Sequence, residues 1–147
     1  MAGFKFRLET VLQHRRRIEE DCQQKLAAAL ADLSTERRSL AGIENSREIA
    51  REVFQKKLKS NMTASEMLLY QRYFDQLALE VAGQKRKVAA AARLFEKRRT
   101  ALVAALKNRK VLDKLKEKQM TAAVKKELKQ EQDFMNEMAL IRHTRPL

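Results

Sequence analysis

Tryptophan is absent from this 147-residue sequence, cysteine and proline occur once each, and glycine occurs three times. Aromatic residues make up only 5% of the chain, and a composition this poor in large rings argues against a compact globule. The single cysteine, Cys22, rules out an intrachain disulfide and suggests a reducing compartment. At helical spacing it reads as a small buried hydrophobe rather than a reactive thiol. No run approaches eighteen apolar residues, so no segment is expected to span a membrane. The opening Met1-Ala2-Gly3-Phe4-Lys5-Phe6 lacks the apolar core of a signal peptide. The expectation is a soluble cytoplasmic protein. His14 and His143 stand apart from any cysteine or carboxylate at metal-ligand spacing. Neither glycine-rich phosphate-binding pattern occurs, and Gly83-Gln84-Lys85 falls inside a helical pattern where no loop can form. The run Glu19-Glu20-Asp21 reads as surface charge on a helix. These absences point to a non-enzyme with no metal and no cofactor.

What is present is helix. Ala, Glu, Lys, Leu and Arg dominate, and 35% of residues are charged, the composition of coiled coils and long helices. The one convincing break is Lys59-Ser60-Asn61-Met62-Thr63-Ala64-Ser65-Glu66. Thr63 and Glu66 form a T-x-x-E capping box, and Met62 and Met67 occupy the positions of a hydrophobic staple. Ser60 and Asn61 favour local side chain to backbone bonds over continued helix. A connection this short joins antiparallel neighbours. The expected fold is all-α: one two-helix antiparallel coiled-coil hairpin over 1–147, with the second helix longer. Helix 1 is expected from Phe4 or Lys5 to about residue 60, the turn at about 60–63, and helix 2 from Ala64 to about Arg142.

Helix 1 carries two seam rows at seven-residue steps: Leu12, Glu19, Leu26, Leu33, Leu40, Arg47, Phe54, and Leu8, Arg15, Cys22, Ala29, Glu36, Ile43, Ala50. The polar members loosen the seam and help to fix its register. Helix 2 carries Phe74, Val81, Val88, Phe95, Leu102, and Tyr70, Leu77, Gln84, Ala91, Arg98, Ala105, Leu112. Beyond Leu106 the phase drifts in this reading, with Leu106, Val111 and Leu115 replacing the strict heptad. Folding the chain about residue 62 makes facing positions sum to about 124. Phe54 then meets Tyr70, Ala50 meets Phe74, Ala29 meets Phe95 and Leu12 meets Leu112. Large side chains repeatedly face small ones, as interdigitated packing requires.

Three consequences follow from that register. Helix 1 ends opposite about residue 120, so the stripe Met120, Val124, Leu128, Met135 and Met138 has no partner within the chain and is a candidate docking surface. Gly42 and Gly83 fall at one level on outward positions, a soft point where the hairpin can bend. Arg15 and Arg109 confront each other across the seam, a conflict that an acidic partner would relieve.

The net charge is +13, and between Lys85 and Lys129 sixteen Lys/Arg stand against four Asp/Glu, a local net of +12. Such a bias draws acidic partners. Lys97-Arg98-Arg99 and Lys107-Asn108-Arg109-Lys110 look like the basic region of a leucine zipper, but Leu112 is followed by Gln119 and Lys126 at seven-residue steps, so the zipper fails. Rings for base stacking are missing apart from Phe95 in the seam. No nucleic-acid partner is expected. Membrane contact is expected only through partners, because no aromatic cluster supports insertion.

Three segments carry a resemblance. The opening Phe4-Lys5-Phe6-Arg7-Leu8-Glu9-Thr10-Val11-Leu12-Gln13-His14-Arg15 resembles the start of FliJ proteins, small coiled-coil components of the bacterial flagellar export apparatus. Met67-Leu68-Leu69-Tyr70-Gln71-Arg72-Tyr73-Phe74-Asp75-Gln76-Leu77 is similar to the start of that family's second helix. Arg109-Lys110-Val111-Leu112-Asp113-Lys114-Leu115-Lys116-Glu117-Lys118 is similar to its late basic stretch. The resemblance implies a stalk-like hairpin that engages the ring of the export ATPase FliI, promotes its assembly, links it to the export-gate protein FlhA, and handles export chaperones. It implies a cytoplasmic protein with a pool at the cytoplasmic face of the inner membrane. Under it, the basic open end, with Arg15, Arg16, Arg17, Arg109, Lys110 and Lys114, would face the ATPase. Phe54, Tyr73 and Leu77 would be candidates for the gate contact, although Phe54 and Leu77 also sit in seam rows. The competing readings are a structural, dimerising scaffold and the equivalent stalk of a virulence secretion system.

Overall fold

The computed structural model describes residues 3–144, and among them there are two helices and no strand. Helix α1 spans Glu9–Lys59 and helix α2 spans Ala64–Thr144, 51 and 81 residues, packed as an antiparallel hairpin with the second helix longer. The turn is built as the capping residues dictate. Ser60 closes α1 by donating its backbone N–H to the Lys57 carbonyl at 3.2 Å. Thr63 opens α2: its Oγ1 accepts from the Glu66 N–H at 3.2 Å, and its carbonyl accepts from the Met67 N–H at 3.1 Å. Basic Lys56, Lys57 and Lys59 complement the α1 C-terminus, and Glu66 the α2 N-terminus.

α1 starts at Glu9 rather than at Phe4 or Lys5. Phe6 is buried ahead of the helix, and its carbonyl accepts from the Glu9 N–H at 3.1 Å. Leu8, expected in a seam row, therefore precedes the first helical turn and is exposed. The remaining seam positions of α1, from Leu12 to Phe54, are all buried or half-buried, as are those of α2 from Tyr70 to Leu112.

The chain forms two compact units. The turn-bearing unit is Cys22–Leu102. Its core holds Ala29, Leu33, Leu77 and Val81, all at most 5% exposed. Near the turn, the Phe54 ring lies 5.2 Å from Tyr70 and 5.6 Å from Phe74, edge-on to the latter. Such ring pairs contribute about 0.5–1.5 kcal/mol beyond their buried area. Gln84 is buried and donates its amide to the Glu36 carbonyl at 3.0 Å and to the Glu36 carboxylate. Phe54 with Tyr70 is the pairing expected of a fold about residue 62, while Phe54 with Phe74 and Glu36 with Gln84 lie one turn to either side of it.

The termini-bearing unit is Met1–Asp21 with Val103–Leu147. Leu12 is fully buried there, with Phe6 and Ala105 close to it in burial. The heptad of α2 does not drift beyond Leu106, contrary to the sequence reading. The rows run on as Leu102, Arg109, Lys116 and Arg98, Ala105, Leu112, all half-buried or buried; of the three residues expected to replace them, Leu106 is half-buried and Val111 and Leu115 are exposed. The apolar residues misled because charged side chains occupy the true seam positions.

Candidate interaction surfaces

The seam of the termini-bearing unit is a network of ion pairs. Glu19, on α1, is buried and accepts from Arg109 through both carboxylate oxygens, from Nε at Oε2 and from Nη2 at Oε1, the latter at 3.4 Å. Arg109 Nη1 also donates to Asp113 Oδ2, one turn further along α2. Arg16 Nη2 donates to the other oxygen of Asp113 at 3.1 Å. Nearer the chain ends, Lys116 Nζ pairs with Glu9 Oε2 at 2.9 Å while Gln13 donates to Glu9 Oε1 at 3.0 Å. Charge and hydrogen bonding shift these groups accordingly. The Arg109 guanidinium is raised further above its ordinary value by Glu19 first and Asp113 second. Desolvation pushes the Asp113 carboxyl up, but bonds from Arg109 and Arg16 outweigh it and hold the group below its ordinary range. Lys116, then Gln13, hold Glu9 low.

Six cations were candidates at this end. Arg109 and Arg16 are committed to internal carboxylates, so the charge of Arg109, expected to stand uncompensated opposite Arg15, is balanced within the chain. Arg109 reaches Glu19, which lies one turn from the position expected opposite it. Arg15 is half-buried, and Arg17, Lys110 and Lys114 are exposed and carry no ion pair among the described residues. The carboxylates are visible in the sequence, Glu19 in a seam row and Glu9 near the chain start, but their pairing with Arg109 and Lys116 leaves no apolar signal.

In the turn-bearing unit the three aromatic and aliphatic candidates separate by exposure. Leu77 is buried and Phe54 is half-buried within the ring cluster. Tyr73 is 46% exposed, with its ring 6.2 Å from that of Phe74. It borders a shallow groove with Ser39, Gly42, Ser46, Gln76 and Glu80. The groove escaped the sequence reading, yet its signal is there: Ser39, Gly42 and Ser46 recur at helical spacing on α1, and their small side chains leave the space. A Cβ on Gly42 or Gly83 would meet nothing within 4 Å, so neither glycine is required by close packing.

Beyond Met120, which lines a shallow pocket with Phe4 and Phe6, the stripe stays uncovered. Met120, Val124, Leu128, Met135 and Met138 are exposed, Met135 to 70%, and Phe134 and Ile141 are exposed beside them. α2 nonetheless continues through this stretch to Thr144, whose hydroxyl donates to the Leu140 carbonyl at 2.9 Å. Cys22 is a half-buried free thiol. Among the described residues no cluster of His, Cys, Asp or Glu could hold a metal ion, and no helix is long and apolar enough to cross a membrane.

Comparison with known proteins agrees with this architecture. The family model described as the flagellar FliJ protein matches residues 4–147. Among solved structures, a Chlamydia trachomatis protein, CT670, described as a YscO homolog, is similar with a TM-score of 0.60 at 21% identity, over 95% of each chain. At that identity the likeness speaks to the fold alone. No curated protein sequence matches the chain.

Proposed function

The chain belongs to the flagellar FliJ protein family, and so to the components of flagellar type III protein export; on that premise we propose that it is a non-enzymatic stalk and adaptor of the export ATPase. The family match across nearly the whole chain is the observation that carries this reading. In it, the termini-bearing unit engages the ATPase ring and promotes its assembly. Exposed Arg17, Lys110 and Lys114 supply charge that complements an acidic ring surface, with Arg15, Arg16 and Arg109 beside them. The stripe from Met120 to Met138 gives that contact its apolar component. The turn-bearing unit meets the export gate, with Tyr73 as the contact residue and Phe54 and Leu77 as the packing that holds its helix face in place. Free export chaperones are further partners. The protein then works in the cytoplasm and at the cytoplasmic face of the inner membrane, held there through its partners.

The test is to mix the purified protein with the export ATPase of the same system and measure ATP turnover and ring assembly at two salt concentrations. Stimulation with increased hexamer, weaker at high salt, is expected, because the contact is charged and exposed. No effect at either salt, with the protein itself dimeric through the Met120–Met138 stripe, would replace the adaptor reading by that of a structural scaffold.

A further inference from the structure

The two units are held by different chemistry. In the turn-bearing unit the seam is closed by Leu33, Leu77, Val81 and the rings of Phe54, Tyr70 and Phe74. Gln84 is buried there and bonded twice to the half-buried Glu36, and Arg47 and Arg98 are half-buried at seam positions with no ion pair across the helices among the described residues. In the termini-bearing unit, residues 9–21 of α1 offer Leu12 and Ile18 to the seam but also Glu9, Arg15, Arg16 and Glu19. Opposite them, α2 offers Ala105, Leu106 and Leu112 but also Arg109, Asp113 and Lys116. Three cross-helix ion pairs, Glu9–Lys116, Arg16–Asp113 and Glu19–Arg109, therefore occupy places where apolar side chains would contribute more. Partly buried ion pairs pay a desolvation penalty that offsets much of their attraction, and their best-attested role is to fix register. Displacement by one turn would set Glu19 opposite Ala105 or Asp113 in place of Arg109, and Glu9 opposite Leu112 or Met120 in place of Lys116.

We infer that the termini-bearing unit is an ion-paired clasp: the pairs fix one register for residues 9–21 against residues 103–116 but hold them weakly, so this stretch opens as a block while the turn-bearing unit stays closed. Opening uncovers Leu12, Ala105 and Leu112 and releases Arg16 and Arg109 from their internal carboxylates. It is a property of the free protein and does not depend on which partner the chain meets. Locally opening units of this kind are visible in native-state hydrogen exchange.

The experiment is hydrogen exchange, followed residue by residue on the full chain, for the wild type, Asp113→Asn, and the double variant Glu19→Leu/Arg109→Leu. The clasp predicts one shared opening rate, within about threefold, for seam amides of residues 12–21 and 103–113, at least tenfold faster than amides around Leu33, Leu77 and Val81. Asp113→Asn should speed the shared rate several-fold. The double-leucine variant should slow it at least tenfold, because matched apolar residues replace a desolvated pair. Neither variant should move the turn-bearing unit. Simple fraying gives instead a rate that falls smoothly from the chain ends inward, and that result overturns the clasp. So does exchange of both units at one rate, or a double-leucine variant that exchanges no more slowly than the wild type. Should that variant fail to fold, Asp113→Asn alone decides between a block response and a graded one.

Discussion

Arg109 shows how a charged residue can hold a seam position. Its side chain is about one quarter exposed, and it reaches two carboxylates, one on each helix. The acid response of the protein follows from Asp113 and from Glu9. Asp113 and Glu9 both titrate below their ordinary values of 3.8 and 4.5 in the folded protein. A carboxyl lowered on folding adds stability that is fully present above its unfolded value and is lost as pH falls through the folded one. Acidification from about pH 5 to about pH 2 should therefore loosen the termini-bearing unit first. The aromatic cluster of Phe54, Tyr70 and Phe74 has no carboxylate to protonate and should persist longer. Side-chain resonances of Leu12 and Phe54 followed through an acid titration would report the two units separately. Simultaneous loss of both sets would refute the assignment of the acid response to Asp113 and Glu9.

For the elements, the turn and the apolar part of the seam are legible in the sequence, whereas the start of α1 is not. Thr63 announces the start of α2 through its spacing to Glu66, and the structure gives the hydroxyl its bond to the Glu66 N–H. Replacing Thr63 by Ala should cost about 1 kcal/mol, the usual worth of such a cap, read as a lower midpoint in urea. Phe54 opposite Tyr70 was readable from the register alone, and the rings do meet. The misses lie where the chain uses charge or leaves the helix. Lys116 carries no apolar signal that marks it as a seam residue, Arg109 reads as a seam residue but against Arg15 rather than Glu19, and nothing in the sequence shows that Phe6 tucks in ahead of the first turn and leaves Leu8 exposed. The groove beside Tyr73 depends on small side chains, which leave no hydrophobic signal. The soft point at Gly42 and Gly83 can be tested directly. With open space at both Cβ positions, alanine at each should stabilise the hairpin by about 1 kcal/mol through helix propensity. If the double variant is also less active in ATPase stimulation, flexibility at that level matters; equal activity would remove the soft point as a functional feature.

At the scale of the whole molecule, the proposed contacts are divided between the two units, and that division permits a separation-of-function test. Reversing Arg16 or Arg109 would disturb the seam as well as the surface, since both are paired internally, so a loss of activity there would be ambiguous. Arg17, Lys110 and Lys114 are better targets because they are exposed and outside the ion-pair network. Exposed substitutions of this kind usually move stability by no more than about 0.5 kcal/mol. The triple change to glutamate should therefore leave helicity and thermal midpoint nearly unaltered. It should raise the concentration needed for half-maximal ATPase stimulation by roughly tenfold at low salt, with a smaller effect at high salt, as for any contact steered by charge. Tyr73→Ala removes a half-exposed ring from the turn-bearing unit, and it should spare ATPase stimulation while weakening capture by the isolated soluble domain of the gate protein. The two readouts must fail separately for the adaptor reading to stand. If the triple glutamate variant still stimulates at the wild-type concentration, the ring contact does not use this basic surface, and the exposed stripe from Met120 to Met138 becomes its remaining candidate. If Tyr73→Ala abolishes stimulation as well, the turn-bearing unit also serves the ATPase, and the division of labour between the units is wrong.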